Sequence, residues 1–178
     1  MGSKNKASRL ALCGVLAGLA LAVLFLGGVI PFAAIACPVM ASLVLIPVYC
    51  ECGRKWGWSW YLAVGVLALL LVSDREASIL FVFLGYYPML KKYFERLPLR
   101  WLKWLAKLLY VNAAILCAYT LMIYVFGLTA LGEELKATGT VLLIATMLLA
   151  NVSFVLYDVL IGRLEIFWFV RLRPKLKL

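Results

Sequence analysis

Residues 9–30 read RLALCGVLAGLALAVLFLGGVI, one arginine followed by twenty-one residues without a charge. A helix of that length is about 30 Å long, the thickness of a bilayer's hydrocarbon core. Five further apolar stretches follow near 32–50, 58–73, 77–90, 105–126 and 138–161. With 66% of its 178 residues hydrophobic, the chain carries more apolar surface than a soluble domain of that size can bury. The pattern predicts an all-α, polytopic membrane protein. It is read as one transmembrane domain over 1–178, with about six helices in a single bundle, near 10–30, 32–50, 58–73, 77–90, 105–126 and 138–161.

The charges give the bundle a direction. With the N terminus placed in the cytoplasm, sixteen of the eighteen Lys and Arg residues fall on the inner side, and only Arg75 and Lys136 fall outside. The acidic residues divide four and four, so the inner face carries +12 and the outer face −2. Basic residues concentrate on the cytoplasmic side of inner-membrane proteins, so both termini are expected in the cytoplasm and the chain in the inner (cytoplasmic) membrane. A net charge of +10 on a soluble chain would point to nucleic acid. Here the cations sit at the ends of apolar segments, where they meet anionic lipid headgroups, and no nucleic-acid partner is expected. The first stretch is too long for the apolar region of a signal peptide and runs into Gly27, Gly28 and Pro31 without a cleavage site, so it reads as a retained helix.

The third and fourth stretches are short and meet at Ser73-Asp74-Arg75-Glu76. They read as a tight hairpin closing on the outer side, or as one re-entrant unit over 58–90, which leaves the sidedness unchanged. Residues 91–107, KKYFERLPLRWLKWLAK, alternate bulky apolar and basic residues, with Trp101 and Trp104 three apart and Pro98 between two short pieces. Such a segment lies along the cytoplasmic interface with its ammonium and guanidinium heads in water. It reads as an anchor or as a docking surface for a partner. Pro31, Pro38 and Pro47 imply kinks or a break in the second segment and its approach, which either roof a pocket or serve structure alone.

Polar groups inside the spans mark candidate sites, because an unpaired one in hydrocarbon is costly. Asn112 and Tyr119 lie in the fifth stretch and Asn151 in the sixth. The two amides either bond to each other across antiparallel helices or face a cavity and read a polar ligand. Asp158 and Arg163, near the inner end of the sixth stretch, read as partners of neighbouring charges. Asp74, Arg75 and Glu76 sit at the outer mouth, either to orient a zwitterionic solute or as a self-neutralised turn. In the first helix Ala7, Ala11, Gly14, Gly18 and Ala22 recur at spacings that place them on one stripe. Small residues let helices approach closely in lipid, so the stripe seats this helix against a neighbour within the chain or against another subunit.

Catalytic chemistry finds little support. The chain has no histidine, which removes His-based triads, His metal sites and the HExxH motif. Cys50-Glu51-Cys52 lacks the further ligands that a closed zinc site needs, and the other cysteines lie inside spans. No Gly-rich phosphate loop is present, so ATP would have to be hydrolysed by another subunit. No cofactor, metal or enzymatic activity is expected.

Taken together, six short helices, the stripe Ala7, Ala11, Gly14 and Gly18, the outer turn from Gly27 to Phe32, Pro38 and Pro47, and an inner Gly53-Arg54-Lys55-Trp56-Gly57 resemble the S components of energy-coupling-factor (ECF) transporters. The resemblance covers essentially the whole chain. It implies a membrane subunit that captures a vitamin or related micronutrient from the outer side and docks, through the small residues of its first helix, on a membrane coupling subunit driven by two ATPases. Carried over by position, Ala7, Ala11, Gly14 and Gly18 form the docking face and the turn around Pro31 a gate. Asp74, Arg75, Glu76, Asn112, Tyr119 and Asn151 are then the candidate substrate-binding residues. So few polar groups point to a flat or lipid-like compound. The rival expectation is a small scaffold of the cell envelope or cell-shape machinery, bound to partners through its Trp- and Arg-rich inner segment and carrying no ligand.

Overall fold

The computed structural model describes residues 3–29, 36–125, 127 and 139–172, with side chains from Arg9 to Arg171. Among these every regular element is helical: α1 Ser3–Val29, α2 Ala36–Leu43, α3 Leu45–Cys52, α4 Arg54–Leu71, α5 Arg75–Leu84, α6 Tyr87–Phe94, α7 Arg100–Tyr124 and α8 Thr140–Phe167. A π-turn over Trp168–Leu172 ends α8. Among the described residues three segments are long and apolar enough to cross a membrane: Arg9–Gly28, Arg100–Tyr124 and Thr140–Arg171. The expected outer turn is described only as far as Val29; Ile30, Pro31 and Phe32 lie outside the described residues, as do Lys136 and the C-terminal residues beyond 172.

The second and fourth apolar stretches are each divided into two helices: a kink or break was expected in the second, a single helix in the fourth. Pro47 has no N–H to offer the carbonyl of Leu43, and the chain answers with a tighter turn in which Val44 N–H bonds Ala41 O at 3.2 Å. That turn separates α2 from α3. Pro88 likewise leaves the Leu84 carbonyl without its helical donor, and α5 gives way to α6 through Gly85-Tyr86. Pro38, Pro47 and Pro88 all stand in the first turn of the helix that holds them, where a missing N–H costs least. The expected interfacial segment over 91–107 is likewise divided: its start completes α6, and its end forms the first two turns of α7.

Gly53, at φ 86, makes the corner between α3 and α4, a backbone conformation that glycine adopts without strain. Asp74 caps α5, its carboxylate accepting from the N–H groups of Glu76 and Ala77 at 3.0 and 3.2 Å.

The largest buried cluster joins α1 through α6, with Ala20, Leu24, Leu45, Val48, Val64 and Phe81 at its centre. Ile79, Leu80, Ala118 and Met122 pack α5 on α7. Helix α8 joins through one half only. Phe154, Tyr157, Asp158 and Ile161 are buried, whereas Val141, Leu142, Ile144, Leu148 and Leu149 are exposed. An apolar helix face that meets no protein is at home only in lipid.

Candidate functional site

Polar side chains occur in three layers between α5–α6, α7 and α8. At the end that holds Asp74, the three charged residues of the hairpin point to different partners. Asp74 is occupied as a cap. Arg75 Nη1 donates to the carbonyl of Leu69 at 2.6 Å, closing the end of α4. Glu76 Oε1 accepts from Tyr119 OH at 3.2 Å, tying α5 to α7. Each carboxylate and guanidinium thus has a local structural partner, and of the candidate residues at this end Glu76 and Tyr119 meet.

The middle layer is an amide pair. Asn112 Nδ2 donates to Asn151 Oδ1 at 2.9 Å, and Asn151 Nδ2 returns a bond to Asn112 Oδ1 at 3.2 Å. Each amide spends its second hydrogen on its own helix, at Leu108 O and Met147 O, both 2.8 Å. Both NH₂ groups are therefore fully used. Elsewhere along α7 a groove of about 200 Å³ opens among Phe83, Tyr86, Tyr110, Ala113, Ala114 and Cys117. It lies beside the break between α5 and α6, with Phe83 and Tyr86 among its walls. Tyr110 OH donates to Phe83 O at 2.8 Å, satisfying a carbonyl near that break. The groove thus presents ring faces and small side chains, suited to a flat, weakly polar molecule.

The third layer was missed in the sequence as a buried site. Lys91 and Lys107 were expected in the headgroup region with their ammonium groups in water, yet each is only 5% exposed. Both converge on Asp158. Lys107 Nζ lies 2.8 Å from Asp158 Oδ2, Lys91 Nζ lies 3.4 Å from Oδ1 and bonds the Asp158 carbonyl, and Tyr87 OH donates to Oδ1 at 2.5 Å. The reason is electrostatic: a carboxylate carried by an apolar helix draws in whatever cations can reach it. Gly162, one turn beyond Asp158, leaves room for Lys91, whose Nζ would stand 3.2 Å from a Cβ there. The expected pairing of Asp158 with basic neighbours is what the geometry contains; the missed signal was that a lone acid in 138–161 must have a buried partner.

Around this cluster Tyr87 stacks on Tyr110 and meets Phe154 edge-on, with centroids 5.6 and 4.7 Å apart. Tyr157 OH and Ser42 Oγ share a hydrogen bond at 2.5 Å. Glu165 Oε1, two turns beyond Asp158, is buried without a hydrogen-bond partner among the described residues.

On α1 the small residues face away from the core. Cys13, Ala20 and Leu24 are buried, while Gly14 is exposed and the rest of the stripe, Ala11, Gly18 and Ala22, is not buried. A Cβ built on Gly14 or Gly18 meets nothing within 4 Å. The side chain of Ala7 lies outside the described residues. Of the two settings open to the stripe, a neighbour within the chain or another subunit, the fold leaves the second available.

No family model matches this chain, and neither do any curated proteins or solved structures.

Proposed function

We propose that the chain is the solute-binding membrane subunit of a multi-subunit micronutrient importer, similar to the S component of an ECF transporter, and is not itself an enzyme. It crosses the inner membrane six times, as α1, α2–α3, α4, α5–α6, α7 and α8, with both termini in the cytoplasm and the Asp74 end facing out. The observation that carries this reading is the stripe Ala11, Gly14 and Gly18, whose two glycines have open space before them. In lipid such a stripe is the usual means by which a helix seats a partner closely. The partner in this reading is a membrane coupling subunit that brings ATPases with it.

Support for a ligand comes from the groove beside Tyr86 and Tyr110. Its walls favour a flat or lipid-like solute over a highly polar vitamin. Glu76 and Tyr119, further along α5 and α7 toward the outer end, would be the polar groups nearest the entrance. The other members of the expected substrate set have their hydrogen bonds committed within the bundle, so they act in this reading by holding the helices that frame the groove.

The scaffold reading draws on a different observation: Trp101 and Trp104, 65% and 41% exposed at the start of α7, are residue types that anchor protein interfaces. Native mass spectrometry of the protein gently extracted from its own membrane separates the two. A co-purifying membrane subunit with an ATPase pair, or a bound small molecule, is expected for the importer subunit. Envelope proteins alone, with no ligand, would transfer the assignment to the scaffold.

A further inference from the structure

The end of the bundle that carries Lys91 and Lys107 also holds a crevice of about 40 Å³ that the buried cluster leaves unused. Tyr49 of α3, Arg54 of α4, Met89, Lys92 and Tyr93 of α6, and Arg96 just beyond it form its walls. Three of these six are cations and none is acidic. Like charges gathered at one place repel. Rings rather than carboxylates hold them: Arg54 and Arg96 lie 5.2 and 5.7 Å from the centre of Tyr93, and Lys92 lies 4.3 Å from the centre of Tyr49. Among the described residues none of the three forms an ion pair. Glu95 is turned to Lys91, at 3.8 Å, and Glu165 acts on Lys92 only from beyond ion-pair distance.

The backbone adds to the positive field. The corner at Gly53 starts α4 at Arg54, and the first amides of a helix have no carbonyl partner within it. This first turn is pressed against the crevice wall, since a Cβ on Gly57 would stand 3.1 Å from Met89 Sδ and 3.5 Å from Tyr49 Cβ. Lys92, in the last turn of α6, is offset in part by that helix's carbonyl end. Arg96, two residues past the end of α6, shares that offset, whereas Arg54 stands at the amino end of α4.

We infer that this crevice binds a phosphate group, held by the guanidiniums of Arg54 and Arg96 and the ammonium of Lys92. Paired guanidinium forks match phosphate oxygens in geometry as well as charge, and the space is sized for one such group rather than for a whole solute. The phosphate belongs either to an anionic phospholipid or to a small phosphorylated solute. The inference is independent of the importer reading.

The test uses the full chain in nanodiscs of phosphatidylcholine with or without phosphatidylglycerol, comparing the native protein with Arg54→Gln/Arg96→Gln. Lys55→Gln is the control, because it removes an exposed charge beside Arg54 but outside the crevice. Phosphatidylglycerol retained on native mass spectrometry should fall roughly fivefold for each cation removed in the double variant and stay unchanged in the control. Inorganic phosphate titrated in phosphatidylcholine alone reads the second source: saturable thermal stabilisation that the double variant loses assigns a soluble phosphate. Lipid retention without that response assigns the phospholipid. Neither preference nor response in the native protein overturns the site, as does an equal loss in Lys55→Gln. Should the double variant fail to fold, Arg96→Gln alone, at an exposed position past the end of α6, carries the same comparison.

Discussion

Lys107 Nζ approaches Asp158 Oδ2 to 2.8 Å while both side chains are almost wholly out of solvent, at 6% and 7% exposure. With Lys91 on the other oxygen, Asp158 faces two buried ammonium groups at this point in the bundle. It therefore joins α6, α7 and α8 by one carboxylate. Removing it leaves two cations uncompensated away from water, and Asp158→Ala should destabilise the protein by about 3–5 kcal/mol. Thermal unfolding in a mild detergent is the measurement. Lys107→Met should cost less, because Lys91 and Tyr87 remain on the aspartate. If Asp158→Ala and Lys107→Met have additive effects, the two groups are uncoupled and Lys107 does not share a buried site with the aspartate.

The amide pair calls for a different expectation. Asn112→Leu strands the Oδ1 and one hydrogen of Asn151, but Asn151 retains its bond to Met147 O. The loss should be about 0.6 kcal/mol and not above about 1.7, the range for interhelical hydrogen bonds between membrane helices. Asn112→Leu/Asn151→Leu should cost less than the two single changes added together, since no amide is then left without its partner. Strict additivity in detergent unfolding would show that the two side chains act apart, and would favour the alternative in which they meet a ligand.

How much of this was legible in the sequence differs by feature. The first, fifth and sixth apolar stretches, which hold the three helices long and apolar enough to cross a membrane, were visible because a bilayer-length run of uncharged residues is seldom tolerated outside lipid. The break at Val44 was half visible, since Pro47 forecast a lost hydrogen bond without showing where the chain would turn; Pro88 carries the same signal, but the fourth stretch was read as one helix. Asn112 and Asn151 stood out because each is isolated in an apolar run, which left open whether they bond to each other or face a cavity. Lys91 and Lys107 were lost for the opposite reason. They stand among many other cations in 91–107, and the rule that places basic residues in the headgroup region treats all of them alike. Only the fold shows which two reach Asp158. The aromatic layer around Tyr87 and Tyr110 was illegible, because its members come from α6, α7 and α8 and share no spacing.

Cys13 and Cys52 test how α1 is seated. Their Sγ atoms lie 3.6 Å apart, joining the buried face of α1 to the end of α3. A disulfide needs the sulfurs to close by about 1.5 Å, within reach of side-chain rotation. Mild oxidation with copper phenanthroline should therefore give an intramolecular crosslink that Cys13→Ser or Cys52→Ser abolishes and that Cys37→Ser leaves intact. The readout is proteolysis between α1 and α3 followed by non-reducing electrophoresis. Absence of the crosslink would mean that α1 is rotated, and with it the direction of its small-residue stripe.

Glycines on α1 allow folding and assembly to be measured separately. Gly14 and Gly18 face open space, so Gly14→Leu should leave unfolding within about 0.5 kcal/mol of the native protein, as expected for a substitution that touches nothing. Gly27 lies on the packed side, where a Cβ would come 3.1 Å from Cys37 Cβ and 3.6 Å from Ala77 Cβ. Gly27→Leu should therefore force α1 away from α2 and α5 and cost about 1–3 kcal/mol by overpacking. The consequence for assembly runs the other way. On the importer reading Gly14→Leu removes the close approach that a coupling subunit needs, so the folded variant should no longer carry that subunit through affinity purification. A Gly14→Leu protein that is both stable and fully assembled would exclude this face as the docking surface, whatever Gly27→Leu does. Loss of stability at Gly14 would instead show that the stripe already has a neighbour within the chain.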